Sequence, residues 1–153
     1  MDALELKIPP PLLWSICALL AWLTAQAFPG FAAPVRAWRW LAVLPVLAAL
    51  MLGFPALQAF IRARTTFHPH RPSRSSSLVT GGVFRFSRNP MYLALALMLL
   101  AWIVLLGNVA GLLWLAAFIA YITRFQIVPE ERALAAKFGQ EYAQYCARVR
   151  RWI

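Results

Sequence analysis

Two short stretches of this sequence carry the residue types that chemistry needs. The first is Phe84-Arg85-Phe86-Ser87-Arg88-Asn89-Pro90-Met91-Tyr92, where a basic, turn-rich loop gives way to a charge-free run from 89 to 123. Asn89 followed by Pro90 reads as a helix start. Asparagine can satisfy orphan backbone N–H groups, and proline has no N–H to lose and a φ already suited to the helix. Such a start carries partial positive charge and free donors, and Arg85 and Arg88 stand in its approach. At the water-facing end of a membrane helix this is a place to hold a small anionic group; the alternative is that both arginines merely flank a span. The second stretch is Pro129-Glu130-Glu131, two carboxylates in the first turn of another helix. They can receive an ammonium group or simply suit the helix dipole.

Brought together, the two stretches would combine a helix start, arginines, aromatic rings (Phe84, Phe86, Tyr92), His70 and two carboxylates. A zwitterionic ligand with an aromatic ring fits that mixture. Its carboxylate goes to the arginines and helix start, its ammonium to a glutamate of the pair, its ring to an aromatic face. S-adenosyl-L-methionine has all three parts. Other chemistries lack their residues: no G-x-G-x-x-G, no phosphate-binding P-loop and no G-x-S-x-G elbow is present. His68-Pro69-His70 is half a metal site with no third histidine, and Cys17 and Cys146 lie elsewhere, so no metal is expected.

The elements that must position these residues are membrane helices. Hydrophobic residues make up 62% of the 153 residues, mean hydropathy is +0.66, and the charged 13% are segregated. No charge occurs in 8–35, 40–61 or 89–123. Runs of that length match the roughly 20 apolar residues needed to cross a bilayer. The formal net charge of +10 sits mostly in loops beside apolar spans, which points to anionic headgroups rather than nucleic acid.

Four spans are expected. The first covers about 12–28 and ends at Pro29-Gly30. The second covers about 40–61 and contains Pro45 and Pro55, each favouring a kink that could shape a cleft. The third and fourth, about 91–106 and 110–127, form a hairpin turning at Gly107-Asn108. Between the second and third lies the basic loop 62–88, with six arginines and both histidines. From Pro129 the pattern becomes amphipathic: Leu134, Phe138, Tyr142, Tyr145 and Val149 recur at steps of four, four, three and four, one apolar stripe of a C-terminal helix. The expected fold is thus all-α: four transmembrane helices and an amphipathic helix in a single membrane domain, 1–153. Within it, 62–90 forms a cytoplasmic cofactor loop and 129–153 the final helix. The arginines of the loop and tail place both, and both termini, on the cytoplasmic side of a bacterial inner membrane, with Gly107-Asn108 outside. Arg36 and Arg39 are a mild exception.

The motifs in this order and spacing resemble the isoprenylcysteine carboxyl methyltransferase and phospholipid methyltransferase superfamily. They are His68-Pro69-His70-Arg71-Pro72, Leu78-Val79-Thr80-Gly81-Gly82-Val83-Phe84, Arg88-Asn89-Pro90-Met91-Tyr92, Glu130-Glu131-x-x-Leu134, Phe138-Gly139-x-x-Tyr142-x-x-Tyr145 and Arg151-Trp152. The resemblance covers about 64–152 and implies S-adenosyl-L-methionine bound on the cytoplasmic side without a Rossmann fold. By position it implies cofactor contacts at Leu78, Val79, Phe84, Arg88, Asn89, Pro90, Met91, Tyr92 and Glu130, with His70 a further one. It implies an amphiphilic or lipid acceptor entering from the bilayer. In the eukaryotic isoprenylcysteine enzymes Arg-Asn-Pro reads Arg-His-Pro, and a substrate-handling arginine stands four residues before the glutamates. Here those positions hold Asn89 and Gln126, a departure that bears on carboxyl methylation of a prenylcysteine and leaves the cofactor half intact; a lipid, prenylated or other hydrophobic acceptor is the expectation. No catalytic base is named, because displacement at a sulfonium carbon needs chiefly alignment and exclusion of water. The other classes to weigh are a membrane NADPH-dependent reductase of related architecture and a non-catalytic membrane scaffold.

Overall fold

The computed structural model describes residues 5–32, 36–62 and 78–153. His68, His70 and the serines 73–77 fall outside the described residues. The fold is all-α. Helix α1 spans Pro10–Ala27, α2 Val43–Arg62, α3 Pro90–Leu106, α4 Leu112–Ile122 and α5 Val128–Arg148. A π turn, Thr123–Ile127, fuses α4 to α5, so the described residues form four helical rods. Pro10–Ala27, Arg39–Arg62 and Val109–Arg148 are long and apolar enough to cross a membrane. α3 has 17 residues, about 25 Å at 1.5 Å per residue, the short limit for crossing.

Proline and glycine set the boundaries. Pro10 opens α1 and Pro90 opens α3, each in a position where a missing N–H costs nothing. α3 ends at Gly107, whose φ of 65° lets its N–H return to the carbonyls of Ile103 and Val104. The second span begins with a 3₁₀ stretch, Arg36–Ala42, so Trp40 precedes the α-helix proper. Of its two prolines, Pro45 falls in the first turn of α2 and only Pro55 lies inside the helix.

Between the rods, contact depends on small residues and tryptophans. α2 packs chiefly on α3, and a β-carbon at Gly53 would come within 3.2 Å of the Ala94 methyl, so nothing larger than glycine fits there without a shift. Trp14 donates its indole N–H to the Leu95 carbonyl (3.1 Å), Trp102 to the Ala18 carbonyl (3.0 Å) and Trp114 to Thr24 Oγ1 (2.9 Å). These three bonds tie α1 to α3 and α4, and each indole ring adds apolar contact. Leu13, Cys17, Ala21, Leu99, Ile103, Phe118 and Ile122 fill the core between them.

The π turn has a covalent cause. Pro129 has no N–H, so the carbonyl of Phe125, four residues earlier, loses its usual helical partner. That carbonyl accepts instead from the Leu6 N–H at 3.0 Å. Next to it the buried Gln126 donates Nε2–H to the Ile8 carbonyl at 2.7 Å, and Glu5 pairs with Arg124 (3.2 Å) and Arg132 (2.6 Å). The segment before α1 thereby straps the junction of α4 and α5.

The amphipathic stripe is real but bent. Gly139 has φ 50° and ψ −118°, a conformation other residues avoid, and it redirects α5 halfway along. Beyond the bend Tyr142, Tyr145 and Val149 are buried together, with Leu78, Leu134, Phe138 and Cys146 packed against them. A single straight helix, as its period implied, would send those rings elsewhere. The bend returns them to the loop before α3.

Candidate functional site

The approach to α3 is a 3₁₀ turn, Gly82–Arg85, followed by Phe86, Ser87, Arg88 and Asn89. Phe84 is buried, its ring edge-on to Phe60 at 5.4 Å, and its carbonyl accepts from the Tyr145 hydroxyl at 2.7 Å. Arg85 and Phe86 point outward and are exposed. Leu78 and Val79 lie half-buried ahead of the turn, Leu78 against Tyr142 and Tyr145.

The helix start differs from its expected form in one respect. Asn89 does occupy the N-cap position, yet its side chain caps nothing. Its Nδ2 donates to the Arg151 carbonyl at 3.0 Å, while its own N–H goes to Ser87 Oγ at 3.1 Å. The amide has turned away because the chain from 150 to 151 runs beside it: the Arg88 N–H donates to the Arg150 carbonyl at 3.0 Å. Pro90 is fully buried, and Met91 and Tyr92 are half-buried in the first turn with no side-chain cap over their N–H groups. That open turn is what an anion would need.

The two glutamates, alike in sequence, have different partners. Glu131 is enclosed by arginines: Arg151 donates to both its oxygens, at 3.1 and 2.7 Å, and Arg88 Nη2 lies 3.1 Å from Oε1. Arg88 also donates Nη1–H to the Cys146 thiol, and its Nε–H is buried without an acceptor among the described residues. Glu130 has no cation partner among the described residues. It is half-buried and accepts from the Tyr92 hydroxyl at 2.6 Å. Glu130 lies past Arg124, beyond the apolar run that crosses the membrane. Burial pushes its carboxyl up to about 8; the Tyr92 hydrogen bond opposes the rise and the charge of Glu131 adds to it.

The fold therefore gathers Phe84, Arg88, Asn89, Tyr92, Glu130 and, through the tyrosine cluster, Leu78 at one end of the bundle. Val79 and Met91, both half-buried, lie beside them in sequence. Sequence reasoning missed Ser87, Tyr145, Cys146 and above all Arg151. Tyr145 and Arg151 were visible as motif letters, but no periodicity reveals that a tail folds back on a helix start 60 residues earlier.

An all-α bundle of membrane helices with its polar groups converging at one end defines a class of small integral-membrane protein. Residues 37–141, more than half the chain, match the phospholipid methyltransferase family, and the chain belongs to that family of membrane methyltransferases. Over 63 residues, 41% of this chain, it is 51% identical to the whole length of an uncharacterized protein of Haemophilus influenzae.

Proposed function

We propose that this protein is an integral-membrane methyltransferase that takes its methyl group from S-adenosyl-L-methionine and delivers it to a phospholipid or another amphiphilic acceptor. The observation that carries the reading is the contrast at Glu130. In a chain of net charge +10, the neighbouring Glu131 has two arginines and this half-buried carboxylate has none among the described residues. A ligand ammonium would complete it. The open first turn at Met91 and Tyr92, beside Arg88, offers N–H donors for the ligand's carboxylate. The donor set thus fits the amino-acid end of this cofactor, and Leu78, Val79 and Phe84 supply apolar surface for its ring. His70 is kept as a further contact on resemblance.

When bound, the cofactor supplies an electrophilic methyl on sulfur. It would give that methyl to a lone pair of the acceptor and leave as the neutral thioether, any surplus proton going to solvent. The chain's part is to hold and to exclude water: Glu130 and Tyr92 fix one end, Asn89 and Arg88 keep the helix start in place. The family match favours a phospholipid over a prenylcysteine acceptor, as does the buried Gln126, already committed to the Ile8 carbonyl. We read 1–153 as one membrane domain with both termini and the site on the cytoplasmic face.

Calorimetry on detergent-purified protein tests this. S-adenosyl-L-methionine should bind, with chelator present as well as absent, and NADPH should not. Charge-assisted hydrogen bonds are worth about 1.5–3 kcal/mol each, so Glu130→Gln should weaken binding roughly ten- to a hundred-fold at 1.4 kcal/mol per decade. Normal affinity in a folded Glu130→Gln protein would assign both glutamates to helix stabilisation.

A further inference from the structure

One residue touches both halves of the site. The Arg151 carbonyl accepts from Asn89 Nδ2 at 3.0 Å and lies 3.5 Å from the Ser87 hydroxyl. Its guanidinium reaches the opposite way and forks onto both oxygens of Glu131, at 3.1 and 2.7 Å. The preceding residue adds a main-chain bond, Arg88 N–H to the Arg150 carbonyl at 3.0 Å. Main chain and side chain of a single residue thus join the start of α3 to the first turn of α5.

The fork also orients what it does not touch. Successive residues of a helix are rotated by about 100°, so holding Glu131 toward Arg151 fixes the heading of Glu130. That heading is the one at which Glu130 meets the Tyr92 hydroxyl at 2.6 Å. Arg88 shares Oε1 of Glu131, which draws the helix start toward the same carboxylate. Lysine in place of Arg151 would keep the charge but could not form two parallel bonds to one carboxylate.

We propose that Arg151 is a positioning residue, which sets the separation and heading of the Asn89 helix start and the Glu130 carboxylate and so governs the affinity of the cofactor between them. The proposal rests on the reading of the site as a cofactor site, and it makes the segment 150–151 part of that site. It assigns Glu131 a bracing role and leaves Glu130 as the ligand's partner.

The test compares Arg151→Gln and Arg151→Lys with the unaltered chain, all in a Cys17→Ser background. Both variants keep the main-chain carbonyl that receives Asn89, so any change belongs to the fork. Calorimetry with S-adenosyl-L-methionine is expected to show about a ten-fold loss for Arg151→Gln, one decade of binding constant, and a smaller loss for Arg151→Lys. The rate of Cys146 alkylation by iodoacetamide gives a second readout without any ligand. The thiol takes a hydrogen bond from Arg88 and is partly exposed, so loosening the brace on Arg88 should change that rate several-fold. Unchanged affinity and unchanged alkylation in Arg151→Gln would overturn the proposal. So would a fall in thermal stability with affinity intact, because the fork would then serve the fold alone. If the unaltered chain binds no S-adenosyl-L-methionine, the functional reading fails by itself, and the alkylation rate decides whether Arg151 braces the helix start.

Discussion

Two asparagines, one near each end of α3, show how differently the two ends of this molecule are finished. Asn108 is buried in the turn after α3. Its Oδ1 accepts the Ala110 N–H at 3.0 Å and its Nδ2 donates to the Phe28 carbonyl at 2.9 Å. One side chain caps a turn and staples the end of α1, and Gly111 beside it packs so closely on Ile103 that a β-carbon would lie 3.1 Å away. Every polar group of Asn108 that the turn buries has a partner. Asn89 stands at the opposite end of α3 in a position where asparagine ordinarily caps, and it leaves the first turn open. Around it lie an unsatisfied Arg88 Nε–H and a carboxylate with no cation among the described residues. Polar groups left incomplete cost stability, and their gathering at this end is what the proposed ligand would account for.

The largest effect that could break this comparison is all-or-none. If the two ends face opposite sides of the membrane, a membrane-impermeant maleimide should label Val109→Cys from outside and Glu141→Cys from the cytoplasmic side only. Both positions are exposed, and the native Cys17 and Cys146 would be replaced by serine. Labelling of both from one side would remove the cytoplasmic placement of the site.

A second prediction exchanges the roles of the two asparagines. Asn108→Ala leaves the Ala110 N–H without its acceptor in a buried turn and takes one of two donors from the Phe28 carbonyl, which keeps the Phe31 N–H, and should cost about 1–3 kcal/mol of stability while cofactor affinity stays as it was. Asn89→Ala gives up one contact to the Arg151 carbonyl at a half-buried position, so its thermal stability should change less. Cofactor affinity should nevertheless fall several-fold, as the helix start loses its tie to the tail. Thermal unfolding and calorimetry on the same preparations read both quantities. Equal losses of affinity would erase the distinction between a finished end and an open one.

Much of the fold was legible because membrane helices announce themselves by long charge-free runs, and the four expected spans fall within a few residues of the observed helices. Trp40 belongs to the 3₁₀ stretch before α2, a boundary that hydropathy cannot see. The bend at Gly139 was hidden for another reason: the apolar residues keep a helical period across it, and only the positive φ breaks the rod. At the site, composition identified the glutamate pair and the helix start but could not divide the labour between Glu130 and Glu131. That division is made by Arg151 folding back from the tail, a contact between residues 20 apart along the chain on one side and 62 on the other. The Asn89 side chain was expected to cap for the same local reason, and the tail carbonyl, a competing acceptor for its amide, won.

The smallest expected effect concerns proton binding at the open end. The Glu130 carboxyl is raised from 4.5 to about 8 by burial, so between those values the folded protein holds a proton that the unfolded chain has already released. Stability then falls as pH rises through that window, because the native state binds more protons than the unfolded one. Below 4.5 the penalty is absent, and above about 8 it is fully present. Among the described residues, the groups facing this carboxyl are the Tyr92 hydroxyl and, one residue on, Glu131 with Arg88 and Arg151 around it. A cofactor ammonium would favour the ionised form and offset the penalty. Affinity should therefore rise a few-fold from about pH 6 to about pH 8, while the bound protein loses less stability over the same range than the free one. Thermal unfolding at a series of pH values, with and without S-adenosyl-L-methionine, measures both slopes. Glu130→Gln should flatten the two together, since glutamine keeps the shape and cannot titrate. A slope that survives in Glu130→Gln would belong to another group, and the carboxylate without a cation would then be braced by Tyr92 alone.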